Sequence, residues 1–466
     1  MLGSRTKVGP WAPAIVLLAL LAGCVLAGTT SPTPPSCPGD VPAPSITAGP
    51  SSTEQGDLVV VGRIVTMDEP AEAEALLIEA GVVTCVGTRA EVLEIAGEEI
   101  PVVDIGTNVA YPGFIDAHAH WIGDRNYYGL ASAEEAMDAA ISRGWTSISE
   151  QWVNPEKLHE LTALAADDAL KLRVDAYLAL NFGDEFFGDW YTDHERGPMG
   201  DRLRVQGLKI HLDDGAGAII NWESEDVTEA VRRADERGWQ LSVHTVSTEA
   251  QDLVLDAFEA VIGPDGPNPL HHRIEHAIEV SDDQLARMVA MDLVTVIHPD
   301  GVAGDWVQWN DYMGQGGNYP ARQLGWLGRW RDFVDAGLHV AAASDAPWFF
   351  SDFVLADDVG RPVDHIAGGM DGRGRAFPET PEWVLDQLLT AEQGLYAATI
   401  GAAYALGDES RRGHLAPGTL ADVTILSGDV TDATADEIRA MTVVATIVGG
   451  VIQYCGDPEV CAQAGE

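Results

Sequence analysis

His118-Ala119-His120 is the sharpest chemical signal in the chain. In an extended segment, residues two apart face the same side, so both imidazoles can reach one ion. Lys209, His244, His276 and Asp345 follow at long intervals, each in or at the end of an apolar, strand-like run. Alone, each reads as ordinary: a hydrogen-bonded histidine, a snorkelling lysine, an aspartate capping a turn. Together they are imidazole and carboxylate donors supplied by separate strand ends, which is how a metal site is assembled. His211, two residues after Lys209, and His298 read as pocket-lining residues rather than ligands. Trp121, Trp152, Trp222, Trp306, Trp309 and Trp348 fall on loops over the same place, where broad rings suit a flat or apolar substrate.

The elements that must gather these residues alternate along the chain. Apolar runs begin at Phe114, Thr146, Leu172, Leu208, Gln240, His272, Val294 and Leu338. Helix-like stretches such as Ala133–Arg143, Pro155–Asp168, Glu225–Arg237 and Asp282–Ala290 separate most of them. Alternation of this kind implies an α/β fold with a parallel sheet, and eight units favour a closed (β/α)8 TIM barrel with its chemistry at the C-terminal strand ends. No glycine-rich phosphate loop follows the first strand, which argues against an open, doubly wound sheet. Short strands at Leu58–Val65, Ala75–Glu79 and Val82–Val86 are matched near the other end by Asp422–Leu426 and Thr442–Tyr454. Residues 57–111 and 409–456 are therefore expected to form one small β-sandwich, with the barrel over 112–408 and a tail over 457–466.

The 466 residues include 27 Lys and Arg against 73 Asp and Glu, a formal charge of −46. Such a surface repels nucleic acid and anionic headgroups, so those partners are not expected, but it does not itself select among small-molecule substrates. Arg5 and Lys7 precede an apolar run from Trp11 to Ala22, too short to span a bilayer comfortably. Leu21-Ala22-Gly23-Cys24 resembles the lipobox of bacterial lipoproteins, which implies a signal peptide over 1–23 and lipidation of Cys24. Residues 24–56, rich in Ser, Thr and Pro, read as a disordered tether. The expectation is an extracytoplasmic protein, bound to a bacterial cell membrane by its lipid alone. In an oxidising compartment Cys37, Cys85, Cys455 and Cys461 suit disulfides, with all three pairings open.

Pro112-Gly113-Phe114-Ile115-Asp116-Ala117-His118-Ala119-His120 resembles the first-strand signature of the amidohydrolases. Arg273-Ile274-Glu275-His276-Ala277 and Ala343-Ser344-Asp345-Ala346-Pro347 resemble the sixth- and eighth-strand motifs of their YtcJ-like branch. Gly413 to Asp422 is similar to that family's return into the small domain. The resemblance runs from about Asp57 to Tyr454. It implies a divalent-metal hydrolase, zinc being the first choice, that uses metal-activated water on non-peptide, amide-type carbon–nitrogen bonds. It also implies roles: His118, His120 and Asp345 around one ion, His244 and His276 around a second, a carboxylated Lys209 between them, and Asp345 as the catalytic acid–base. Three departures bear on the substrate: a short segment between the first and fourth strands, Ser247-Thr248 in place of Gly-Asp, and an altered turn from His211 to Ala216. A dipeptidase or lactonase on the same scaffold, or a binding lipoprotein without catalysis, are the competing expectations.

Overall fold

The computed structural model describes residues 56–214, 217, 219–299, 325–348, 360–373 and 382–463. The segment expected to be a signal peptide, Cys24, the expected tether up to residue 55, Cys37, Trp306 and Trp309 lie outside the described residues.

Near the N-terminal end come β1 (Leu58–Val65), β2 (Glu72–Glu79), β3 (Val82–Gly87) and the long β4 (Val102–Pro112). Gly113 then leads into β5 (Phe114–Ala119), followed by β6 (Trp145–Val153) and β7 (Arg173–Ala179). A small hairpin of β8 (Asn181–Phe182) and β9 (Glu185–Phe186) and an edge piece, β10 (Gly197–Pro198), precede β11 (Leu203–His211). The set continues with β12 (Gln240–Thr245), β13 (Arg273–His276), β14 (Val294–Ile297) and β15 (His339–Ala342). Strands β16 (Val423–Leu426), β17 (Val443–Val448) and β18 (Val451–Cys455) close the series.

Eight of these pair in parallel and in chain order, β5-β6-β7-β11-β12-β13-β14-β15. The ring closes between its first and last strands through the loop after β15: the Asp345 amide donates to the His118 carbonyl at 2.8 Å, and the His120 amide to that of Ala346 at 2.9 Å. This is the expected barrel. Helices over Ala133–Ser142, Pro155–Ala166, Thr248–Ile262 and Asp282–Ala290 cover it, each started by an N-cap (Ser132, Asn154, Ser247, Ser281) whose side chain takes a backbone N–H. Ala402, Ala403 and Ala405 of the short helix Ile400–Ala405 pack with Ile115, Ala117, Val294, Val296 and Ala341 and seal one end of the interior.

The flanking strands form one seven-stranded sheet, in the order β18-β17-β16-β4-β1-β2-β3, in place of two separate layers. Val83 and Val86 from one end of that order share a core with Val444 and Ile447 from the other, so the sheet curls around its own apolar side. Among the elements absent from the sequence reading are β4 and the helix Arg89–Ala96. In β4, Gly106, Thr107 and Asn108 interrupt the apolar alternation, and Gly106 and Thr107 lie exposed. The single run expected over Thr442–Tyr454 is a hairpin, turned at Gly449 and Gly450 with φ of 60° and 78°. Of the open disulfide pairings, Cys455 bonds Cys461 and pins the short helix Pro458–Cys461 to the end of β18. Cys85 is also disulfide-bonded.

Candidate metal centre

The two backbone hydrogen bonds that close the barrel bring the first and last motifs face to face. His118 Nε2 and His120 Nε2 each lie 3.2 Å from Oδ1 of Asp345. Asp116 fastens this seam, accepting from the Ser344 amide at 2.8 Å, from the Ser344 hydroxyl, and from Trp121 Nε1 at 3.0 Å. Trp152, His276 and Asp345 have left-handed backbones, with φ of 52°, 71° and 48°. For residues other than glycine this costs on the order of 1–3 kcal/mol each and persists only where surroundings enforce it. All three sit at strand ends, where the turn throws the side chain across the barrel mouth.

The second oxygen of Asp345, Oδ2, faces a different pair. It lies 3.9 Å from His276 Nδ1, which is itself 2.9 Å from His298 Nε2. His298 Nδ1 is 3.0 Å from the Ala343 carbonyl, which only accepts, so that nitrogen carries the ring proton and Nε2 presents a lone pair. His244 points elsewhere. Its ring lies 4.4 Å from that of His276, but its Nε2 is 3.4 Å from Oδ1 of Asp213, a carboxylate anchored by the Val246 and Ser247 amides and the Ser247 hydroxyl.

Two groups of donors therefore have atoms within 4.8 Å of one another: His118, His120 and Asp345, and His276, His298 and Asp345. The residues fit a divalent cation. Both ring nitrogens of His120, Nε2 of His244 and Nζ of Lys209 are buried and make no hydrogen bond, an expensive state; a cation would relieve it at an imidazole lone pair, though not at the lysine's N–H groups. Burial pulls His118, His120, His244 and His276 well below the usual histidine range, so their lone pairs are available. Burial also pulls Lys209 down to about 8, against the opposing pull of Glu275 and Asp345. Its ammonium lies 5.9 Å from the Trp152 ring centre.

Of the expected pocket residues, His211 is in place. Its Nδ1 accepts from the Gly183 amide at 2.9 Å, so Nε2 holds the proton, and its ring lies 4.8 Å from Trp152. Trp152 stands 4.6 Å from His120 and 4.7 Å from Phe182, and Trp348 lies 6.3 Å from His120, all centre to centre. These rings line the mouth. Trp121 does not: it is 0% exposed, stacked on Tyr128 at 5.2 Å, with its N–H held by Asp116. Trp222 packs edge-on against Phe186.

A functional carboxylate was missed at the sequence level. Glu275 Oε2 lies 2.6 Å from His118 Nδ1, and its Oε1 accepts from Ser242 Oγ at 2.8 Å and from Arg273. The Arg273 guanidinium lies 4.9 Å from the Tyr177 ring centre, the Tyr177 hydroxyl donates to Gln240 at 2.6 Å, and Gln240 Nε2 donates to the Ala405 carbonyl at 2.8 Å. A buried polar column thus runs up the barrel and ends at His118. The available signal was two charged residues, Arg273 and Glu275, in a four-residue strand buried throughout.

The amidohydrolase family profile matches residues 128–454, beginning after β5 and including Lys209, His244, His276, His298 and Asp345. An N-substituted formamide deformylase of Arthrobacter pascens is 30% identical over 255 residues, 53% of this chain and 42% of that protein. A putative amidohydrolase, YtcJ, of Bacillus subtilis is 25% identical over 260 residues, 55% of this chain and 43% of that protein. The matched segment thus spans less than half the length of these curated relatives. An uncharacterised metal-dependent hydrolase from Pyrococcus horikoshii superposes with a TM-score of 0.65 at 18% identity, covering 82% of this chain and 99% of that one. At that identity the likeness speaks for the fold. Since the family profile covers well over half of its length, the chain belongs to the amidohydrolase family.

Proposed function

We propose that this protein is a metal-dependent hydrolase that cleaves an amide-type carbon–nitrogen bond in a small molecule. The observation that carries this reading is the meeting of His118 Nε2 and His120 Nε2 on Asp345 Oδ1, each at 3.2 Å, at the C-terminal strand ends. When bound there, a divalent cation would supply Lewis acidity toward a carbonyl and acidify water, and zinc suits imidazole and carboxylate donors. His118 and His120 hold their lone pairs toward it. Asp345 accepts the proton of the attacking water through the oxygen turned away from those two rings and returns it to the departing nitrogen. Trp152, Phe182, His211 and Trp348 wall the mouth, exclude water and favour an apolar or planar substituent on the substrate.

The relative acting on N-substituted formamides supports placing N-formyl amines first in a hydrolysis screen, followed by other N-acyl amines, cyclic amides, dipeptides and lactones. Zinc-loaded protein should hydrolyse at least one amide class, and Asp345→Asn should lower that rate by about 10³-fold while zinc stays bound. Turnover unchanged in Asp345→Asn, with its zinc content verified, rules out this assignment. Hydrolysis of lactones alone would move the reading to an esterase-type bond.

A further inference from the structure

Gly238 and Trp239 lead into β12, whose far end carries His244, and Arg196 directly precedes β10 on the edge of β11. Between these two segments, at the end of the barrel away from the mouth, lies a cavity of about 450 Å³, a size within the ~300–1,000 Å³ of small-molecule sites. His194, Glu195, Arg196, Arg237, Gly238 and Trp239 line it. Arg196 is half-buried, and burial pulls its guanidinium below the usual arginine range. A guanidinium offers five N–H donors, yet its one hydrogen bond among the described residues is a 3.5 Å contact from Nη1 to the Gly238 carbonyl. Nη2 lies against the turn after the helix Ile400–Ala405, 3.6 Å from where a Cβ on Gly407 would stand.

The nearby carboxylate of Asp175 is committed elsewhere, to Arg204 at 2.7 Å and Arg412 at 2.9 Å. Arg237 is likewise held only by a carbonyl, that of Thr192 at 3.1 Å. Among the described residues neither arginine forms an ion pair, with Glu195 or with any other carboxylate. In a chain with 73 Asp and Glu against 27 Lys and Arg, two uncompensated guanidinium groups on one cavity stand out, and a partly desolvated cation is costly until an anion joins it. We infer that this cavity binds the phosphate group of a small molecule, gripped by the forked guanidinium of Arg196 inside and by that of Arg237 at the rim. A phosphate presents several acceptor oxygens and up to two charges, enough for both forks against the single charge of Glu195, where a carboxylate brings two oxygens and one charge.

The test needs no hydrolysis. Zinc-loaded full-length protein, freed of excess zinc, is titrated by calorimetry with inorganic phosphate, glycerol 1-phosphate and acetate in ~0.15 M salt, which screens the field of the acidic surface beyond about 8 Å. One equivalent of phosphate or of its ester should be taken up, the tighter of the two telling a free ion from an ester as the ligand, and acetate should bind about tenfold more weakly. Arg196→Gln and Arg237→Gln should each weaken phosphate by about tenfold or more, the loss of a hydrogen bond between charged partners. Zinc content and thermal unfolding matched to the parent show that the variants are intact, and Arg237→Gln, at an exposed position, decides the matter if Arg196→Gln does not fold. Acetate as tight as phosphate, no saturable phosphate uptake by ~10 mM, or full uptake in the folded variants, which would put the phosphate at the metal centre, each overturns the assignment.

Discussion

A histidine that binds a cation with one nitrogen must place the other, and His118 places its Nδ1 2.6 Å from Glu275. The carboxylate accepts a hydrogen bond from Nδ1–H, which leaves Nε2 as the lone-pair nitrogen facing Asp345 and makes the ring a stronger metal ligand. Glu275→Gln keeps an oxygen for Nδ1 but removes the charge. Zinc affinity at the first position should therefore fall by ~10–100-fold, measured by competition with a chromophoric chelator. Unchanged affinity would reduce Glu275 to a partner of Arg273.

At the scale of elements, what was legible in the sequence follows from how each strand is buried. Strands β5, β12 and β14 begin where the apolar runs begin, at Phe114, Gln240 and Val294, because they are buried on both faces and read as continuous runs. β11 starts at Leu203, ahead of its run at Leu208, because Arg204 and Gln206 are polar residues with partners inside the fold. Gly207 marks the irregularity between those parts: an added Cβ would lie 2.7 Å from the Gln240 carbonyl and from the Tyr177 ring, and the register with β7 shifts there. Strand-end histidines were legible because a barrel puts its chemistry at one end. Their division into two groups was not, since it depends on which oxygen of Asp345 each ring faces, and that is set by backbone turns at Asp345 and His276 that no periodicity announces. Nor could Trp121 be told from Trp152 by type or place on a loop; the nearby Asp116 carboxylate decides it by capturing the indole N–H.

Over the whole molecule, the barrel is tied to the curled sheet through buried ion pairs away from the mouth. Arg173 grips Asp422, just ahead of β16, with bonds of 2.6 and 2.9 Å, and Asp422 also accepts from the Gly449 amide in the β17–β18 turn. Nearby, Asp175 of β7 receives Arg204 at 2.7 Å and Arg412 at 2.9 Å. Burial by itself would raise the Asp175 carboxyl, but the two guanidinium groups outweigh it and hold the value at about 2, below its ordinary 3.8. A carboxyl depressed in the folded state stabilises the fold above its unfolded value and loses that contribution as pH falls toward the folded one. The shift corresponds to about 2 kcal/mol, fully present above ~pH 5 and largely gone by ~pH 2. A formal charge of −46 works in the opposite sense, because protonating surface carboxylates relieves self-repulsion as acid is added. Parent and Asp175→Asn share that surface, so their difference isolates the buried pair. In denaturant titrations Asp175→Asn should be less stable than the parent at ~pH 5, and the gap should shrink by about 1 kcal/mol by ~pH 3 as the parent loses its ionised carboxylate. A gap that stays constant across this range would mean that Asp175 titrates no lower in the folded protein than in the unfolded chain, and that Arg204 and Arg412 hold it by packing alone.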